Sequence, residues 1–154
     1  MMMRRRRGEK HMPYYELLDA MSQAAVCPLC VRETASLERY FDAVLSEMVN
    51  DPGVRSELTR SHGYCHRHLH MLLERRSGLG TAILLEDAVT AFGDALADLP
   101  PTAPRRTVER SRREWSDHNG CPACRIQFQS RERNVSVLLE HLSLIHISEP
   151  TRPY

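Results

Sequence analysis

The sequence predicts an all-α fold: a helical hairpin and packing helices around a Cys3His metal site, followed by a truncated second repeat. Three observations carry this. Ala, Leu, Glu and Arg dominate the 154 residues, aromatics are 6% and β-branched runs are scarce, which favours helix. Leu37, Tyr40, Phe41, Val44, Leu45 and Met48 follow the i, i+3, i+4, i+7, i+8, i+11 spacing of one buried helical stripe. Cys27-Pro28-Leu29-Cys30 and Cys65-His66-Arg67-His68 have the internal spacing of metal-ligand pairs.

Taken in order, residues 1–12 form a basic arm, or the product of a start placed upstream of Met12. A first helix is expected over 14–24 and a second over 31–50. Asp51-Pro52-Gly53 has the pattern of an N-cap followed by proline at the first helical position, and Gly63 suits the left-handed residue that closes the short helix. Helices over 65–76, closed by Gly78, and 80–99 follow, the latter with Leu85, Val89, Phe92 and Leu96 on one face. Together residues 13–99 make a first helical metal-binding repeat. Pro100, Pro101 and Pro104 open a Pro/Arg-rich linker over 100–119 that includes a basic helical spacer, 105–115. Residues 120–141 begin a second repeat.

Charge and hydropathy narrow the function classes. The formal net charge is +1, from 21 Lys+Arg and 20 Asp+Glu. Without the terminal charges, Arg4 to Arg7, Glu9, Lys10, Glu149 and Arg152, these fall to 15 and 18, a balance of −3 that does not suit a nucleic-acid binder. No stretch approaches the ~20 apolar residues of a membrane span. The basic start resembles a signal n-region, but Pro13-Tyr14-Tyr15-Glu16 stands where an apolar core would be needed. The expected location is therefore cytoplasmic, where clustered cysteines bind metal or do redox chemistry more often than they form structural disulfides.

Cys27, Cys30, Cys65 and His68 are the candidate ligands. A Cys-x-x-Cys turn supplies two thiolates, and Cys65 and His68 share a helix face at i and i+3. The 34 residues between Cys30 and Cys65 are enough for a helix of roughly 28 Å and a return segment. Zinc is the expected ion, with iron–sulfur ligation, thiol redox use and buried reduced cysteines as alternatives. A haem Cys-x-x-Cys-His is absent, since Val31 and Arg125 occupy the fifth positions. The other histidines carry less: His62 as a helix-end residue, His66 and His70 off the ligand face, His118 in a loop, His141 solvated. No catalytic triad, Glu-x-x-His or phosphate-binding glycine loop occurs, so no catalytic residue is assigned and the chain is not expected to be an enzyme.

Cys121-Pro122-Ala123-Cys124 repeats the first knuckle 94 positions later, and Glu132-Arg133 and Leu138-Leu139 repeat Glu38-Arg39 and Val44-Leu45 at the same offset. Cys121 and Cys124 are expected to be an incomplete second site, because the repeat stops before any counterpart of residues 63–68. The stretch 142–154 resembles a translated reading frame of a sequencing-library adapter and is expected to be an artefact.

On Tyr14–Leu18, Cys27–Cys30, Asn50-Asp51-Pro52-Gly53, Gly63–His68 and Cys121–Cys124, the chain resembles a family of uncharacterised bacterial helical proteins over about residues 13–141. The resemblance implies a second complete site and contributes no activity. The expected function is a zinc-stabilised binding or scaffold module with a protein partner. The alternatives are a thiol redox or metal-sensing protein, and, resting on Arg4–Arg7 and Arg105, Arg106, Arg110, Arg112 and Arg113, a nucleic-acid binder.

Overall fold

A computed structural model describes residues 12–22, 26–116 and 120–145, with Ser116 and residues 142–145 described by backbone alone. The arm up to residue 11, His118 and residues 146–154 lie outside the described residues. Among the described residues there are seven α-helices and no strand: α1 Met12–Ser22, α2 Pro28–Ser46, α3 Pro52–Arg60, α4 His66–Leu73, α5 Gly78–Ala97, α6 Arg105–Ser116 and α7 Pro122–Ile145. No described helix is long and apolar enough to cross a membrane.

The chain divides into two units, residues 37–127 and residues 1–36 with 128–154, so that α2 and α7 each contribute to both. In the 37–127 unit the stripe of α2 is the core: Leu37, Phe41 and Val44 are fully buried, joined by Leu58, Leu72 and Leu84. Tyr40, Leu45 and Met48 pack at its margin. Each such side chain removed from water contributes about 1.5–3 kcal/mol.

The start of α3 follows from its sequence. Asp51 accepts a hydrogen bond from the Val54 N–H at 2.8 Å, and Pro52 occupies the first turn, where its missing N–H costs nothing. The far end differs by one residue from expectation. His62, at φ +56°, is the first left-handed residue and Gly63, at φ +85°, the second. The Gly63 N–H reaches the Leu58 carbonyl at 2.7 Å and the His62 N–H reaches that of Thr59 at 3.2 Å, the paired bonds of a Schellman ending. Arg76, at φ +55°, closes the segment after α4, and Gly78 opens α5 rather than ending its predecessor.

The face of α5 that carries Leu85, Val89, Phe92 and Leu96 is mostly exposed. Thr81, Leu84 and Ala88 are buried, whereas Val89, Phe92 and Leu96 are 64%, 42% and 51% exposed and Leu85 is half-buried. This helix is apolar on more than one side, so periodicity alone does not choose a face. Arg55 of α3 grips Asp87 of α5 with two bonds, 2.7 and 2.9 Å, and adds Glu86 at 3.1 Å. Asp87 is accordingly held below the usual carboxylate range by the Arg55 guanidinium.

In the other unit Tyr14, Leu17 and Ala20 form the buried face of α1. The expected solvation of His141 does not hold: it is 8% exposed and meets the Tyr14 ring edge-on at 4.7 Å. Arg32 pairs with Glu16. Glu33, largely buried, receives two bonds from Arg131 at 2.7 and 3.0 Å. Ser36 and Ser130 share a hydrogen bond of 2.9 Å.

The buried stripe of α2 and the exposed face of α5 predict different costs of substitution. Phe41→Ala should destabilise by about 3–5 kcal/mol through the cavity it leaves, whereas Val89→Ala should stay within about 0.5 kcal/mol. Denaturant titration followed by circular dichroism measures both; a Val89→Ala loss matching that of Phe41→Ala would mean the outer face is core.

Candidate metal centre

Two helix starts meet in the 37–127 unit. Cys65 is the N-cap of α4, in extended conformation with ψ 161°, and its carbonyl accepts the Leu69 N–H at 2.8 Å. His68 follows on the first turn and is 1% exposed. Cys121 precedes α7 in the same way, its carbonyl accepting the Arg125 N–H at 3.2 Å, and Cys124 lies on that first turn. Both pairs therefore sit where helix dipoles favour negative charge.

The ligand atoms of Cys65, His68, Cys121 and Cys124 all lie within 4.8 Å of one another. His68 Nδ1 is 3.3 Å from Cys65 Sγ, 3.3 Å from Cys124 Sγ and 3.7 Å from Cys121 Sγ, and the Cys65 and Cys124 sulfurs are 3.7 Å apart. A tetrahedral ion bonded to sulfur at ~2.3 Å and to nitrogen at ~2.05 Å gives edges of about 3.8 Å between sulfurs and about 3.6 Å from sulfur to nitrogen. The four residues fit one such ion.

Electrostatics point the same way. Burial, then the neighbouring Cys121 and Cys65, push the Cys124 thiol up to about 12, so it would not ionise here without a compensating cation. Burial, followed by the Arg67 charge, lowers His68 below the usual histidine value and keeps the imidazole neutral, as a ligand must be. The Gln127 side chain opposes this, yet among the described residues no group meets the buried Nε2 in hydrogen-bond geometry. The Cys65 N–H points at Cys121 Sγ at 3.4 Å. Tyr40 and Tyr64 share a hydroxyl hydrogen bond of 3.0 Å, and burial raises both phenols, so they stay neutral.

The expected quartet is thus half rearranged. Cys65 and His68 converge as the spacing implies, but with Cys121 and Cys124; Cys27 and Cys30 belong to the other unit and are exposed. Cys121 and Cys124, expected as an incomplete site, are full members of the cluster. The flanking residues explain the choice. A Cβ on Gly120 would lie 3.2 Å from the Ser61 Cβ and 3.4 Å from its Cα, so the second knuckle needs glycine there to lie against the end of α3. The first knuckle has Val26 in that place. Ala123 is fully buried, where the first knuckle has the larger Leu29. Gly and Ala around Cys121 were the readable signal.

His66 and His70 are exposed and meet edge-on at 4.5 Å, off the ligand cluster. In α6, Glu109 binds Arg112 and Arg113 and is held down at about 2, with Arg112 the larger cause, so this basic helix is partly self-neutralised.

A model of a protein family of unknown function, DUF6062, matches residues 10–115, which includes Cys27, Cys30, Cys65 and His68 but stops short of Cys121. Neither the curated proteins nor the solved structures give a match.

Thiol reactivity should follow this arrangement. In metal-stripped protein Cys27, exposed and held low by the Cys30 N–H, the Cys30 thiol and the Leu29 N–H, should be alkylated well before Cys124, whose thiolate is scarce. Timed iodoacetamide labelling with peptide mass spectrometry gives the order. Equal rates would contradict the environments described.

Proposed function

The chain belongs to this family of unknown function, and we propose that it is a helical binding or scaffold module whose 37–127 unit is stapled by one zinc ion on Cys65, His68, Cys121 and Cys124. The observation that carries this is the convergence of three sulfurs and an imidazole nitrogen within 4.8 Å. Three thiolates and an imidazole suit zinc chemically, and four protein ligands close its shell, which marks a structural rather than a catalytic ion. A cluster of two or more irons holds its outer thiolates farther apart than a single ion does, which disfavours iron–sulfur here. Reduced clustered thiols suit the cytoplasm.

The binding half of the proposal rests on the outer face of α5. Val89, Phe92 and Leu96 are exposed there, and beside them lies a groove lined by His62, Tyr64, Leu69 and Trp115. Apolar surface of this kind supports a protein partner. A second reading, a thiol redox or metal-sensing protein, draws on the exposed Cys27 and Cys30.

Elemental analysis of protein purified without added metal should find one zinc per chain. Cys124→Ser and His68→Ala should lose it and several kcal/mol of stability, because metal binding free energy becomes folding free energy. Cys27→Ser should keep both. Metal retention in Cys124→Ser with loss in Cys27→Ser would overturn the quartet, and a brown sample would overturn zinc.

Acid should act through the same residues. The bound form has its thiols deprotonated, so protons compete with the ion and favour the metal-free state as pH falls. The gap in melting temperature between zinc-loaded and chelated protein should therefore be wide at pH 8 and shrink towards pH 5. A gap independent of pH would rule out thiolate ligation.

A further inference from the structure

Helix α4 carries two histidines that the Cys3His cluster does not use. Its inner face buries His68 and Leu72. His66 and His70 lie on the opposite side, both exposed, with ring centroids 4.5 Å apart and planes inclined at 62°. The backbone fixes this pairing, because residues four apart on a helix stand one above the other. The Leu69 N–H bonds the Cys65 carbonyl at 2.8 Å and the Glu74 N–H bonds the His70 carbonyl at 3.0 Å, so the turn that separates the two rings is regular helix. Leu72, in the core, anchors that turn from the other side.

The separation of the rings suits coordination. An ion bonded to an imidazole nitrogen at ~2.05 Å lies about 3.2 Å from the ring centre. Two imidazoles on one ion then have centroids about 4.5 Å apart at a right angle and about 5.2 Å apart at the tetrahedral angle. The 4.5 Å between His66 and His70 matches the first of these. Imidazole nitrogen selects zinc, nickel and copper over magnesium and calcium, which prefer oxygen.

We propose that His66 and His70 form a separate metal-binding site, an exposed two-nitrogen chelate for a divalent transition-metal ion of the imidazole-binding class. Each ring gives one nitrogen lone pair to the ion, water fills the remaining positions, and no oxidation state changes. A shell of four protein ligands is closed. This one has open positions, so its ion exchanges with solvent and can take a further ligand. The pair shares no residue with the Cys3His cluster, so the site stands whether or not that cluster holds zinc.

Nickel(II) is the probe, since it is paramagnetic and imidazole binds it well. The full chain carrying Cys27→Ser and Cys30→Ser, which removes the exposed thiols, is saturated with zinc and freed of the excess. It is then titrated with nickel while the imidazole ring protons are followed by NMR. Less than one equivalent should broaden the His66 and His70 signals ahead of those of the other histidines. His66→Ala and His70→Ala, added singly, should each weaken nickel binding at the remaining ring by on the order of ten- to a hundredfold, the loss of one arm of a chelate. Both positions are exposed, so each variant should keep the helical circular dichroism of its parent. Broadening spread evenly over all the histidines would overturn the site. So would a single variant whose remaining ring binds nickel as tightly as before, because the two rings would then act independently.

Discussion

Three thiols and an imidazole drawn together, with His68 and Cys121 buried and Cys65 and Cys124 half-buried, are costly unless something compensates them. Polar groups removed from water need partners, and the sulfurs of Cys65, Cys121 and Cys124 offer one another only weak ones. Burial holds Cys124 protonated and His68 neutral. A single dication would remove most of that cost at once, because it would convert three poorly paired thiols into ligands. Cys121 and Ala123 belong to the same buried cluster as Leu37, Phe41, Val44, Leu58 and Leu72. The four candidate ligands and the core of the 37–127 unit thus share one cluster. The helix α4, His66–Leu73, is too short to persist alone. It is held by His68 at one end and Leu72 at the other.

The ligand geometry depends on the turn before it. The Schellman ending of α3 reverses the chain within Ser61, His62 and Gly63, which delivers Tyr64 to the core and Cys65 to the start of α4. The same turn receives the second knuckle, since Gly120 lies against Ser61. Two neighbouring contacts fasten the arrangement. Tyr64 bonds Tyr40 of α2, and Arg125, one residue beyond Cys124, pairs with Glu57 of α3. Sequence-distant ligands therefore meet because short local motifs on each side aim them at the same place.

How much of this was legible varies with the kind of signal. The α2 stripe was, because its polar and apolar faces are well separated and only one face can be buried. The Asp51-Pro52 start was, because capping chemistry is local. The buried face of α5 was not, since the helix offers apolar residues on more than one side and the side it buries carries Thr81, Leu84 and Ala88. The metal pairing was half legible. Spacing identifies a Cys-x-x-Cys or Cys-x-x-His as a ligand pair, but two identical knuckles leave the partner open. Sequence distance favoured Cys27 and Cys30; steric room at Gly120 and Ala123 selected Cys121 and Cys124.

The unusual backbone at His62 has a consequence of its own. A non-glycine residue at φ +56° costs on the order of 1–2 kcal/mol, and Gly63 directly after it would have been the cheaper residue for that position. His62 is offset by stacking: its ring lies 4.0 Å from Trp115, nearly parallel, while Phe92 of α5 meets the other edge of Trp115 at 4.9 Å. Trp115 is the main apolar anchor of α6, a helix otherwise rich in arginine. One residue thus joins the turn that aims Cys65, the outer face of α5 and the basic helix. Any partner that displaced Trp115 from the groove would remove the support of His62, and with it part of the force that holds the turn before the metal ligands.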